Sequence, residues 1–272
     1  MVTLKQALKS KLTKKELSLV PSSFDTIGNI ALFTSFPKEL KNKEKLISEQ
    51  LLKQNKNIET VAKKINQFSG KYRLQKIKIL AGKKTKETIH KENGIKLKLD
   101  IEKTYFSPRT GSERLRIAKL VKNNESILVM FSGVAPFPLV IEKNSNPKEI
   151  YAIETNPSAN TYAKENLLLN KSKKIKLIKG DVSKELPNLK SKFDRIIMPL
   201  PKSADSYLEI ALKKLKQKGT IHFYDFSQKK DFPKTSLDKI KKYCKKFKVI
   251  KKVLCGQYSP YTYRVCIDFQ PL

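Results

Sequence analysis

Tryptophan is missing from this chain altogether, and cysteine and histidine nearly so: 272 residues hold three cysteines and two histidines. Cys244, Cys255 and Cys266 have no close pairing, and with only His90 and His222 beside them no zinc-ligand spacing can be assembled. A disulfide-stapled domain and a zinc module are thereby excluded, and a reduced protein without a metal is expected. No apolar run reaches the length of a membrane span, and the opening MVTLKQALKSKLTKKEL lacks an apolar signal core. A cytoplasmic protein with no membrane contact is the expectation. Acid is scarce as well: 25 Asp plus Glu face 58 Lys plus Arg, leaving +33, and the pI is near 10. Of those 58, only six are arginine, at 73, 109, 114, 116, 195 and 264.

A charge of that size repels itself in the folded state unless a polyanion lies close, which points to nucleic acid as partner. Lysine used merely as a solubilising residue is the plainer alternative. Along the chain, Phe24–Phe33 and Ile95–Ile101 read as strands, with a lysine-rich helix over about 38–55 between them. Tyr72–Ala81 alternates apolar and polar residues as a half-buried strand does. These elements predict a small α+β domain over about 1–100. A break follows at Tyr105-Phe106-Ser107-Pro108. From there, strand candidates at Ser126–Phe131, Glu149–Glu154, Ile175–Lys179 and Phe193–Met198 alternate with helix-length stretches such as Asn156–Asn170 and Ala204–Leu215. That rhythm predicts a doubly wound α/β domain over about 101–272, with a mainly parallel sheet and ligands at the strands' carboxyl ends. Further strands fall near Gly219–Tyr224, Lys248–Leu254 and Tyr261–Phe269, the last two close enough to be an antiparallel hairpin.

The first strand of this domain runs into Phe131-Ser132-Gly133, the second ends in Glu154 and the third in Gly180-Asp181. A glycine turn lets backbone approach a ligand, a carboxylate after strand two can accept from both ribose hydroxyls, and an Asp after strand three can meet an adenine amino group. The order is that of an adenosylmethionine site, although Glu154 as a helix cap and Asp181 as a turn residue are open readings.

Five segments occur in order: FDTIGN at Phe24–Asn29, Tyr105-Phe106-Ser107-Pro108-Arg109 with Glu113-Arg114, Met130–Phe137, AIETNP at Ala152–Pro157, and Met198-Pro199-Leu200-Pro201. Together they closely resemble the archaeal and eukaryotic tRNA (guanine-37 N1)-methyltransferases. The resemblance implies a class I, Rossmann-like methyltransferase domain preceded by a small α+β RNA-recognition domain, with S-adenosylmethionine as cofactor and the anticodon stem-loop of tRNA as substrate; no apolar heptad or other interface signal appears in the sequence, so a monomer is expected. It implies Glu113 as general base and Arg73 as the contact to guanine O6. It implies Pro199 and Pro201 around the target base, and Tyr105, Arg109, Phe131, Gly133, Glu154, Asp181 and Pro199 around the cofactor. Three positions depart from the family pattern: Val129 replaces its usual acid, Ala135 its second glycine, and Pro199 the asparagine many relatives carry. A proline there resembles the archaeal subgroup linked to wyosine synthesis, whose members can methylate C7 of a tricyclic guanosine derivative, sometimes besides N1. A catalytically inactive RNA-binding protein that retained the fold is the alternative expectation.

Overall fold

The computed structural model describes residues 3–66, 69–200 and 202–272. It divides into two compact units, residues 1–91 with 96–108, and residues 92–95 with 109–272. Pro201, expected near the target base, lies outside the described residues.

In the first unit, Thr3 and Thr13 start α1 (Leu4–Ala7) and α2 (Lys14–Leu19), each closing a reciprocal capping box with the third helical residue. The apolar run at 24–33 is folded back on itself as β1 (Asp25–Ile27) and β2 (Ile30–Phe33), turning at Gly28-Asn29. Gly28 has φ +56°, and a Cβ there would stand 2.6 Å from the Ile89 carbonyl oxygen, so both backbone and space require glycine. The lysine-rich helix begins as a 3₁₀ turn at Lys38–Lys43 and continues as α3 (Glu44–Gln54). It carries the chain from β2 to β3 (Thr60–Lys64), which lies parallel to it, and Leu51 of α3 packs on Ala31, Phe33 and Val61. β4 (Ile77–Gly82) adds antiparallel to β3, giving the order β1-β2-β3-β4. The strand expected from Tyr72 thus starts only at Ile77. Arg73, at φ +52°, bonds its N–H to Gly70 O at 3.1 Å, and Asn66 Oδ1 takes the Lys76 N–H at 2.6 Å, so this stretch is a turn despite its alternation. β5 (Glu87–Glu92) and β6 (Ile95–Asp100) form a hairpin whose tip, residues 92–95, counts with the second unit and whose Asn93-Gly94 turn has φ > 0 at both residues.

In the second unit, helices and strands alternate: α4 (Gly111–Leu120), β7 (Ser126–Met130), α5 (Pro136–Asn144), β8 (Glu149–Glu154), α6 (Pro157–Leu169), β9 (Ile175–Lys179), α7 (Val182–Asn188), β10 (Phe193–Met198), α8 (Leu208–Lys214), β11 (Leu215–Gln228), α9 (Lys234–Lys241), β12 (Phe247–Ser259) and β13 (Thr262–Pro271). The seven-stranded sheet has the order β12-β13-β11-β10-β7-β8-β9. β9, β8, β7, β10 and β11 are parallel neighbours, and β13 is antiparallel to both β11 and β12. The chain winds from β7 outward to β9, then returns to place β10 on the other side, so the topological switch point lies between β7 and β10. Every residue of β7 is buried, as a central strand covered on both faces must be. Leu128, Met130, Ile196, Met198, Phe223 and Phe269 form the heart of the core, each contributing about 1.5–3 kcal/mol by burial. This is the doubly wound α/β architecture that the strand-helix rhythm announces.

Candidate active site

The carboxyl ends of β7, β8 and β9 bring three of the expected cofactor residues to one edge of the sheet. Beyond β7 the backbone bends sharply: Phe131, Gly133 and Ala135 all have positive φ, at +56°, +57° and +68°. Ala135 then serves as the N-cap of α5, in a left-handed conformation that glycine adopts more readily than alanine. The bend turns the Gly133 N–H onto Glu154 Oε2 at 2.7 Å, while Oε1 accepts the Asn156 N–H at 2.7 Å. The Thr155 N–H also bonds this carboxylate, and of its roughly four acceptor sites one remains for a ribose hydroxyl. Burial raises the Glu154 pKa, and the Asn156 and Gly133 N–H groups act against that.

Asn156, not Glu154, caps α6, accepting from Ser158 N at 3.0 Å ahead of Pro157 at the first helical position. Asp181 is the N-cap of α7, where Oδ1 accepts from Ser183 N at 3.0 Å and Ser183 Oγ at 2.8 Å. Ser132 Oγ, within the same glycine turn, is buried with no hydrogen-bond partner among the described residues. Phe131 stands edge-on to Tyr207, ring centroids 4.9 Å apart. A glycine turn, a clamped carboxylate with spare acceptor capacity and an aromatic edge fit a nucleoside carrying a ribose diol.

Glu113 occupies a different environment. It points from the first turn of α4 onto the face of the sheet where β11 presents His222 and Tyr224 and β13 presents Cys266 and Asp268, each pair two residues apart. Only 5% of Glu113 is exposed. Arg116, one helical turn on, grips it bidentately (Nε to Oε2 2.7 Å, Nη2 to Oε1 2.8 Å), and Tyr224 Oη donates to Oε1 at 2.5 Å. Both lone pairs of Oε1 are engaged, and the Cys255 thiol, kept protonated by burial, also bonds the carboxylate, which leaves Oε2 the less occupied oxygen.

Arg116 also reaches Asp268 Oδ2 at 2.6 Å, Asp268 Oδ1 meets His222 Nδ1 at 2.6 Å, and His222 Nε2 meets Arg195 Nη1 at 2.7 Å. Arg195 ends the chain of contacts on Glu125, at 2.7 and 2.9 Å. Because a guanidinium only donates, Nε2 must be the acceptor and Nδ1 must carry the proton, so His222 is neutral. Burial lowers its pKa; Asp268 opposes that, and Arg195 and Arg116 reinforce it. The Asp268 carboxyl, which burial alone would raise, is held well below the usual range by His222 and Arg116. Burial likewise raises the Tyr224 phenol, which therefore stays a donor to Glu113. His222, Cys266 and Asp268 come close enough to suggest a metal site, but His222 and Asp268 already bond each other between two guanidiniums, which disfavours a cation.

Of the flanking arginines, Arg114 is buried and bonds Glu92 bidentately at 2.5 Å, so it anchors α4 rather than facing a phosphate. Arg109 is exposed. In the first unit, the Arg73 guanidinium lies 4.8 Å from the centroid of the Tyr105 ring, a cation–π pair. Pro199, just past β10, is the centre of a tight turn in which Leu200 N–H bonds Met198 O at 2.9 Å. None of Arg116, Tyr224, His222 and Asp268 is a candidate site residue from the sequence. The Glu-x-x-Arg spacing of Glu113 and Arg116 is the one local signal for any of them.

Two family descriptions match the chain: TRM5/TYW2 methyltransferase domain over residues 88–253, and TYW2 N-terminal domain over residues 4–85. The chain belongs to the TRM5/TYW2 methyltransferase family. Among its relatives is tRNA (guanine(37)-N(1))-methyltransferase Trm5b of Pyrococcus abyssi, 39% identical over 92% of this chain and 75% of the relative. Another is tRNA (guanine(37)-N(1))/4-demethylwyosine(37)-methyltransferase Taw22 of Nanoarchaeum equitans, 32% identical over 77% of this chain and 85% of that one. Among solved structures, the complex of aTrm5 with tRNALeu superposes with a TM-score of 0.86 at 32% identity, covering 99% of this chain and 78% of that one. TYW2 of P. horikoshii in complex with MeSAdo gives 0.80 at 25% identity, covering 98% and 97%. Within the TRM5/TYW2 family, the glycine turn and Glu154 stand at the carboxyl ends where an open α/β sheet binds its ligand.

Proposed function

We propose that this chain transfers a methyl group from S-adenosylmethionine to the nucleotide at position 37 of tRNA, at N1 of guanosine and at C7 of a tricyclic wyosine precursor. The observation that carries this reading is the methyltransferase-domain match over residues 88–253, combined with a Glu154 carboxylate clamped by backbone and able to take a ribose. The bound cofactor supplies a methyl group on a sulfonium, an electrophile that needs no metal. Glu154 holds a ribose hydroxyl, Gly133 lets the backbone approach, and Asp181, Phe131, Tyr105 and Arg109 complete the cofactor's surroundings. Glu113 accepts the N1 proton on Oε2, and Arg73 donates to O6 as negative charge spreads there.

Pro199 shapes the seat of the target base. Proline offers it no side-chain donor, and the Leu200 N–H is consumed in the turn with Met198. An apolar, donor-poor seat suits a three-ring base presented through carbon. The protein works as a cytoplasmic monomer. The inactive RNA-binding alternative has no support among the relatives described: Trm5b and Taw22 are each named as a methyltransferase.

The experiment is nucleoside mass spectrometry of two tRNAs, one with unmodified guanosine-37 and one carrying the tricyclic precursor, after incubation with protein and cofactor. A methylated product from both is the expected result, and an unchanged nucleoside from both would overturn the reading. A second expectation concerns Glu154→Ala. Loss of the ribose hydrogen bond, worth about 1–2 kcal/mol, should weaken S-adenosylmethionine binding by about tenfold while tRNA affinity stays near wild type. Unchanged cofactor affinity in calorimetry contradicts the ribose assignment.

A further inference from the structure

The register of the large sheet shows an asymmetry at its ligand-binding end. Met130, Ile153, Met198 and Phe223 lie level with one another across β7, β8, β10 and β11. The first three sit at or next to the last residue of their strands, whereas β11 continues through Tyr224, Asp225, Phe226, Ser227 and Gln228. These five residues remain paired with β13, from Tyr224↔Cys266 to Gln228↔Thr262, and β13 with β12 up to Ser259↔Thr262. A three-stranded lip therefore rises about 17 Å beyond the ends of the neighbouring strands, on the same side as Phe131, Glu154 and Pro199.

The tip of this lip is aromatic and basic. Tyr261 is 81% exposed and Tyr258 44% exposed. Tyr258 is steadied by Phe226, with ring centroids 4.3 Å apart and planes 35° apart. Lys229 and Lys230 follow directly on β11, both exposed. Tyr261 occupies an unusual place: it is the second residue of the Pro260-Tyr261 connection between the paired Ser259 and Thr262, with φ +70°. A proline followed by a left-handed residue is a turn that ordinarily carries glycine or asparagine second. Folding gains nothing from an exposed aromatic ring at a position that disfavours it, and such strain collects at functional sites.

We propose that this lip is a stacking platform for unpaired RNA bases, with Tyr261 and Tyr258 each taking the face of a nucleotide next to the methylated one, and Lys229 and Lys230 taking phosphates. The inference rests on the tRNA reading given above. RNA is the occupant that matches exposed rings interleaved with lysine on a chain of charge +33, placed beside the end of the sheet that binds the nucleoside.

The test compares Tyr261→Gly, Tyr261→Phe and Tyr258→Ala with wild type, binding a synthetic anticodon stem-loop RNA, with S-adenosylmethionine affinity measured in parallel. Tyr261→Gly relieves the left-handed residue, so it should unfold at equal or higher denaturant while losing RNA affinity by roughly 5- to 150-fold, the range of one lost base stack. Tyr258→Ala should lose affinity in the same direction, Tyr261→Phe should keep it, and cofactor affinity should not move in any of them. Replacing Lys229 and Lys230 together by Ala should lower the slope of log affinity against log salt by about 1.4.

Wild-type RNA affinity in both Tyr261→Gly and Tyr258→Ala overturns the platform while the functional reading stands. A wild-type chain that binds no stem-loop overturns both. If Tyr261→Gly changes the mass by light scattering and leaves RNA affinity intact, the lip joins two copies of this chain, and the proposal fails.

Discussion

Glu113→Gln is expected to lower the single-turnover rate on guanosine-37 tRNA by roughly 10²–10⁴-fold, the usual cost of losing a general base, with little change in tRNA or cofactor affinity. The geometry makes the expectation specific to one oxygen. Oε1 is filled by Arg116 Nη2 and Tyr224 Oη, and the Cys255 thiol also bonds the carboxylate, so Oε2, held by Arg116 Nε, is the oxygen expected to take the substrate proton. An amide cannot satisfy both halves of the arginine fork, since its NH₂ group must face either Nε or Nη2. Some stability will be lost with the charge, and two measurements separate that from catalysis. Calorimetry with S-adenosylmethionine reports whether the second unit is intact. Tyr224→Phe removes a donor from Oε1 but leaves Oε2 and Arg116 in place, so it should retain most of the rate. A Glu113→Gln variant with full single-turnover rate would show that the carboxylate serves only as the partner of Arg116. Transfer to C7, which has no N1 proton to remove, would then be the better account of the chemistry.

What could be read from the residues, and what could not, divides by distance along the chain. The positions of Gly133, Glu154 and Asp181 were legible because each is a local event, a turn or cap within a few residues of a strand end. The second unit's order of elements was legible for the same reason, as buried strands such as Ser126–Met130 stand out between amphipathic helices. Local pattern misled at Tyr72–Lys76, where alternation looked like strand but the positive φ of Arg73 and the Asn66 cap turn the chain instead. It also hid the break at Gly28-Asn29, because both arms of that hairpin are apolar. The network behind Glu113 left almost no trace. Arg116 and Asp268 are 152 residues apart, and their meeting depends on β13 being inserted between β11 and β12. Nothing in the spacing of a single sequence encodes that insertion.

That insertion brings Asp268 into the network behind Glu113. Asp268→Ala should destabilise the protein by about 2–5 kcal/mol, because Arg116 Nη1 and the His222 Nδ1–H lose their acceptor at a largely buried place, each orphaned donor costing about 1–3 kcal/mol, although Arg116 keeps Glu113. Chemical unfolding is the measurement, and a loss under 1 kcal/mol would mean that solvent reaches the network. The same residues set the acid sensitivity. The folded pKa of His222 lies below its unfolded value of about 6.5, so the unfolded chain binds more protons and stability falls as pH drops below about 6.5. The folded pKa of Asp268 is depressed as well, which adds a second loss beginning below its unfolded value of about 3.9. Both contributions are fully present above pH 6.5, and neither reverses sign in acid. His222→Gln cannot titrate, so its stability should be flatter than wild type between about pH 6.5 and 4. Identical slopes for the two proteins over that interval would show that His222 does not stay neutral between Arg195 and Asp268. Because Arg116 reaches Glu113 through the same guanidinium that holds Asp268, acid that breaks this network should also loosen the candidate base. Activity should then be lost at a higher pH than the cooperative unfolding of the chain.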